Sequence, residues 1–117
     1  MNWIKLINCD KDSFPHGTVF RLTGKYPYEN VIDFMVFEPS QESKGQGLMV
    51  SSGYKAGLIL ILLPKESGKL AIEKEWLINN WSHWVYPECD VSDVFVSDGY
   101  VAISALPCSL LAFTGCA

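Results

Sequence analysis

The chain has 117 residues, 13 of them acidic and 9 basic, for a net charge of −4. It is 49% hydrophobic with a mean hydropathy of +0.14. This suits one domain, since single cores run to about 100–150 residues, and it excludes both a multidomain enzyme and a mainly disordered chain. A deficit of Lys and Arg also argues against direct nucleic-acid binding, which needs an excess of positive charge.

The start alternates loosely over residues 3–7 and reads as a first strand. Residues 10–17 are turn chemistry, with Asp12, Ser13, Pro15 and Gly17. Residues 18–23 are β-branched, aromatic and alternating, which predicts a second strand closed by Gly24. Residues 26–30 form a loop, and residues 31–37 form a strand that ends before Pro39. Residues 40–47 are the most polar stretch and suit a hairpin or Ω-loop. A strand over 48–52 and a tight connection over 53–55 follow. Residues 56–63 are strongly apolar without alternation, which predicts a central strand covered on both faces and stopped by Pro64.

Residues 70–85 carry the helical signal. Leu77, Trp81, Trp84 and Val85 fall on one face, and Tyr86-Pro87 ends the pattern. The early part, 69–75, also suits a strand that leaves a shorter helix. A hairpin of 91–97 with 100–105 is expected around Asp98 and Gly99. The uncharged end, 106–117, has no pattern that assigns it an element. Nothing alternates βαβ, so the expected class is α+β, a single domain over 1–117. It would have an antiparallel or mixed sheet of about six strands with one main helix packed on it.

The first residues lack a basic stretch followed by a long apolar run, so no secretory signal is expected. The longest strictly apolar run, 58–63, is too short to span a bilayer. A soluble cytoplasmic protein with no membrane partner is the expectation. The four cysteines at 9, 89, 108 and 116 contain no CxxC pair, so buried free thiols are favoured over a metal site.

No catalytic pattern emerges. His16 lies in a turn, and His83 lies among tryptophans, where a half-buried position is expected. There is no G-x-S-x-G, and Gly45-Gln46-Gly47 precedes a strand rather than a helix. No cofactor is expected. A small enzyme using Cys89 or His83 remains one alternative. A ligand-binding or scaffold domain, homodimeric through its apolar end, is another.

Charge is distributed unevenly. Glu75, Glu88, Asp90, Asp93 and Asp98 follow one another with no Lys or Arg between them, and so do Glu29, Asp33, Glu38 and Glu42. If these pieces meet in space they build one negative face, which attracts basic partners. Plain solubility is the competing reading. Trp76, Trp81, Trp84 and Tyr86 crowd the same region. Helical spacing assigns Trp81 and Trp84 to the core and leaves Tyr86 as the surface anchor.

Several segments resemble a known family. They are residues 17–21, 24–28 and 47–57, then Glu75-Trp76-Leu77-Ile78-Asn79-Asn80-Trp81 and Trp84-Val85-Tyr86-Pro87. Together they are similar to bacterial polymorphic-toxin immunity proteins of the Immunity protein 45 family, over roughly residues 3–100. The end from about residue 102 departs from the pattern. The resemblance implies a small cytoplasmic α+β protein without enzymatic activity. It would bind the toxin domain of a contact-dependent inhibition or related system, commonly a nuclease, as a heterodimer. No catalytic residues carry over. Because a nuclease site is usually basic, an acidic inhibitor fits it, and Glu75, Tyr86, Glu88, Asp90, Asp93 and Asp98 are the expected toxin-binding residues.

Overall fold

The two longest strands carry clear alternation, and this fixes which way the sheet faces. In the computed structural model, which describes residues 2–107, β3 (Val19–Thr23) and β4 (Val31–Phe37) pair antiparallel. Phe20 stands opposite Phe34, and Leu22 opposite Ile32. These four are buried on one face, while Arg21 and Asp33 stand opposite each other on the other. Strand β5 (Gly47–Val50) continues the rule, with Val50 beside Phe34 and Leu48 beside Val36. Gly47 is required where it stands, because a Cβ there would lie 2.5 Å from the Phe37 ring.

Among the described residues the main sheet has six antiparallel strands. Numbered along the chain, they are β1 (Ile4–Lys5), β3, β4, β5, β6 (Ile59–Leu62) and β8 (Phe95–Ser97), in the spatial order β1-β8-β3-β4-β5-β6. A separate two-stranded ribbon joins β2 (Ser13–Phe14) to β7 (Ile72–Glu73). Helix α1 (Lys74–Asn80) follows β7 directly. It continues as a π-helical turn, Trp81–Val85, closed by the Tyr86 N–H donating to the Trp81 carbonyl. The fold is α+β.

The core lies between one sheet face and this helical segment. Leu77, Trp81 and Val85 point inward, and Trp81 packs edge-on to Phe20 at 6.1 Å between ring centroids. The ribbon adds Phe14 and Ile72, both buried, with Phe14 edge-on to Phe20 at 5.4 Å. Burying each of these large side chains stabilises the fold by about 1.5–3 kcal/mol before entropy is counted.

Several expectations change. The turn predicted over 10–17 contains β2, because Phe14 is drawn into the core and pairs with Ile72. The first strand is shorter than expected and passes into a 3-10 turn over Leu6–Asn8. The early part of the predicted helix is strand β7, so the shorter-helix alternative holds. The strand expected over 91–97 begins with a 3-10 turn, Val91–Asp93, capped by Asp90. Residues 100–105 form no strand, so the expected hairpin is absent, and 101–107 are exposed. The apolar run at 58–63 is not central. Its strand β6 lies at the sheet edge, and none of its four residues is fully buried. The end at 108–117, with Cys108 and Cys116, lies outside the described residues.

Candidate partner-binding site

The helix side of the molecule begins at the loop 9–13. Its chain is tied to the start of α1, where the Lys74 N–H donates to the Asp12 carbonyl at 2.8 Å and the Lys74 ammonium donates to the Cys9 carbonyl. Glu75 occupies the first turn of α1, where the helix dipole favours a carboxylate. It lines a cleft of about 580 Å³ with Asp12, Ser13, Glu73, Lys74, Ile78 and Asn79. Ile78 also borders a second cleft, about 230 Å³, with Trp81, Ser82, Pro87, Asp90 and Val91. Glu75 and Asp90 therefore lie at opposite ends of one continuous side.

The segment after the π-helical turn is positioned by two hydrogen bonds. Asp90 Oδ1 accepts the Ser92 N–H at 3.1 Å, and the Val94 carbonyl accepts the Leu6 N–H at 2.8 Å. This presents Glu88, Asp90 and Asp93 to solvent. Among the described residues none of the three has an ion-pair partner, and neither does Glu75. Asp98 lies beyond the loop 9–13. It is exposed and pairs with Lys11, whose ammonium it holds above its ordinary pKa. It shares a cleft of about 460 Å³ with Asp10 and Lys11.

Tyr86 corrects the sequence expectation. It is 6% exposed, packs edge-on against Tyr28 and Phe34, and its hydroxyl accepts the Lys25 N–H at 2.9 Å. It is a core residue and offers no surface anchor. Its backbone is extended (φ −154°), which ends the helical segment and turns the ring inward. His83 is also corrected, since it is exposed rather than half-buried.

The second acidic stretch does not join this side. Asp33 is 2% exposed and receives Arg21 through Nε at 2.8 Å and Nη2 at 2.9 Å. The Tyr100 hydroxyl donates to the same carboxylate at 2.7 Å. Burial first, and this donation after it, push the Tyr100 phenol above its ordinary pKa. Trp3 stacks on the guanidinium at 4.1 Å. Glu29 binds the Tyr54 N–H, and Glu38 and Glu42 share a cavity of about 420 Å³ with Lys44, Lys65 and Lys69. Three further acids do join the helix side, Asp10, Asp12 and Glu73, and the sequence pattern does not reveal them. Lys11 and Lys74 interrupt them in sequence, and the pairing of Ser13 with Glu73, together with the bonds of Lys74 to Asp12 and Cys9, brings the loop 9–13 beside the start of α1.

Cys89 does not have the surroundings of a nucleophile. Cys89 is buried, its thiol donates to the Asp90 carbonyl at 3.6 Å, and desolvation pushes its pKa up. An attacking thiol needs the opposite shift. Among the described residues no group of three or more His, Cys, Asp or Glu side chains is placed to hold a metal ion. No helix among them is long and apolar enough to cross a membrane.

Comparison with protein-family profiles matches residues 6–96 to Immunity protein 45. The chain belongs to the Immunity protein 45 family. Its match covers the whole six-stranded sheet except the two residues of β1 and the last residue of β8, and it includes all of α1. Immunity families neutralise toxins and are generally non-enzymatic, so membership implies a cognate toxin partner. Neither curated proteins nor solved structures give a match to this Immunity protein 45 member.

Proposed function

We propose that this immunity-family chain acts in the cytoplasm as a non-enzymatic inhibitor. It binds the toxin domain of a contact-dependent inhibition or related polymorphic system. The toxin is a nuclease, and its basic active-site region is covered in a heterodimer. The observation that carries this reading is the acidic belt of the helix side. Asp12, Glu73 and Glu75 line one cleft with Lys74, Asp90 lines the next, Asp10 and Asp98 line a third with Lys11, and Glu88 and Asp93 are exposed within three residues of Asp90. Lys74 is turned onto a backbone carbonyl, and Lys11 is held by Asp98.

A site that binds phosphate presents Lys and Arg, and exposed carboxylates are its electrostatic complement. Such groups steer encounter and set specificity, while apolar contacts at the centre hold the complex. Ile78, between the two clefts, supplies that centre.

The test is to express this chain together with the toxin domain encoded beside it. The expected outcome is cell survival, a stable one-to-one complex and loss of nuclease activity on adding one equivalent of the chain. No complex, or a complex with full nuclease activity, would overturn the reading.

A further inference from the structure

The cleft of about 420 Å³ between residues 38–46 and the chain after β6 carries an excess of positive charge on an acidic protein. Lys44, Lys65 and Lys69 line it with Glu38 and Glu42. The three lysines and Glu42 also surround a smaller recess of about 130 Å³. Elsewhere, bases are engaged within the fold. Lys11 and Arg21 are in ion pairs, Lys74 is on the Cys9 carbonyl, and the Lys55 ammonium lies over the Tyr28 and Tyr54 rings. Among the described residues Lys44, Lys65 and Lys69 have no ion-pair partner, although Glu42 lines both spaces with them. Ammonium groups gathered around one space repel one another until an anion lies between them.

The two walls of the cleft are bonded to each other. The Gly45 N–H donates to the Leu63 carbonyl, and the Leu63 N–H donates to the Gln46 carbonyl, both at 2.9 Å. A Cβ on Gly45 would lie 2.7 Å from the Pro64 and Gly68 carbonyl oxygens, so glycine is needed for this approach. Lys44 on one wall therefore faces Lys65 and Lys69 from a fixed backbone.

Gln46 adds a second, independent feature. It lines the same cleft and is 1% exposed. Its Nε2 donates to the Lys69 carbonyl at 2.9 Å, which sets the amide head against the cleft wall. Its Oε1 is buried without a hydrogen-bond partner among the described residues. A buried acceptor left unsatisfied is costly, and a ligand that donates to it recovers that cost.

The lysines ask for negative charge, and Gln46 asks for a donated hydrogen. We propose that the cleft binds inorganic hydrogenphosphate, with its anionic oxygens on Lys44, Lys65 and Lys69 and its P–O–H donating to Gln46 Oε1. Hydrogenphosphate keeps an O–H in both of its forms at neutral pH. Phosphate monoesters lose theirs above a second pKa of about 6, diesters have none, and sulfate has none at neutral pH. With Glu38 and Glu42 in the same cleft the excess is small, which suits a small anion and disfavours a polyanion. Gly45 and Gln46 lead into a strand, so lysine side chains here take the place that helix amides hold in a glycine-rich phosphate loop.

The proposal is independent of the toxin reading and is tested on the full chain alone. Isothermal titration and thermal melting are run with inorganic phosphate near neutral pH at constant ionic strength. Phosphate is expected to bind one-to-one and to raise the melting midpoint with concentration. Sulfate should bind about tenfold more weakly, because it has no hydrogen for Gln46. This selectivity reads the role of Gln46 without altering a buried residue. Lys65→Gln/Lys69→Gln should leave the midpoint without phosphate unchanged and weaken phosphate binding about tenfold. Absence of phosphate binding at millimolar concentrations overturns the proposal. Equal affinity for phosphate and sulfate overturns it as well, since exposed lysines alone would then be collecting anions. Tighter binding of adenosine monophosphate than of inorganic phosphate also overturns it, and would assign the cleft to a nucleotide.

Discussion

Asp33 and the acids of the helix side, Glu75, Glu88, Asp90 and Asp93, are the same chemistry in opposite surroundings. Asp33 is buried, bound twice by Arg21 and once by Tyr100. The helix-side acids are exposed and have no ion-pair partner among the described residues. Charge that shapes the fold is satisfied internally, while charge available to a partner is left in water. Exposed carboxylates cost the fold little and retain their field, whereas a buried one must be fully bonded.

Substitutions should sort along the same line. The largest expected loss lies beneath the helix-side acids. Trp81→Ala empties the contact with Phe20 and should cost about 3–5 kcal/mol, read from the urea midpoint. Asp33→Ala should cost about 2 kcal/mol. That is less than for a fully buried pair, because the Arg21 side chain is 41% exposed and can rehydrate. A cycle with Arg21→Ala should show strong coupling, and additive costs would remove the special status of Asp33. Tyr100→Phe deletes one hydrogen bond to that carboxylate and should cost about 1 kcal/mol. Reversing Asp90 removes the cap of the Val91–Asp93 turn and should cost about 0.5–1 kcal/mol, whereas reversing Asp93 should move stability by less than about 0.5 kcal/mol. A larger change at Asp93 would mean that it also serves the fold.

Much of the fold is legible in the residues themselves. The alternation of 18–23 and 31–37 marks β3 and β4 to within a residue, because one face of each is buried. The inward faces of Trp81 and Leu77 follow from helical spacing. Other features are not local. Whether an apolar strand is central or at an edge depends on which neighbours arrive, so residues 58–63 read as central although β6 has no second partner strand among the described residues. Tyr86 reads as surface because a proline follows it, yet its ring turns back onto Phe34. Asp33 reads as part of an acidic run, although a signal against this is present. The hairpin that pairs Thr23 with Val31 also places Arg21 opposite Asp33. On the helix side, Asp12 and Glu73 come together through the β2–β7 ribbon, which two residues per strand barely announce.

The most direct measurement is the association rate of the cognate toxin domain by stopped flow, across a salt series. It compares wild-type chain with the Asp90→Lys/Asp93→Lys double variant. Steering by the acidic belt predicts association slowed about tenfold at low salt and a much weaker salt dependence in the variant. An association rate and salt dependence equal to those of the wild type would contradict it.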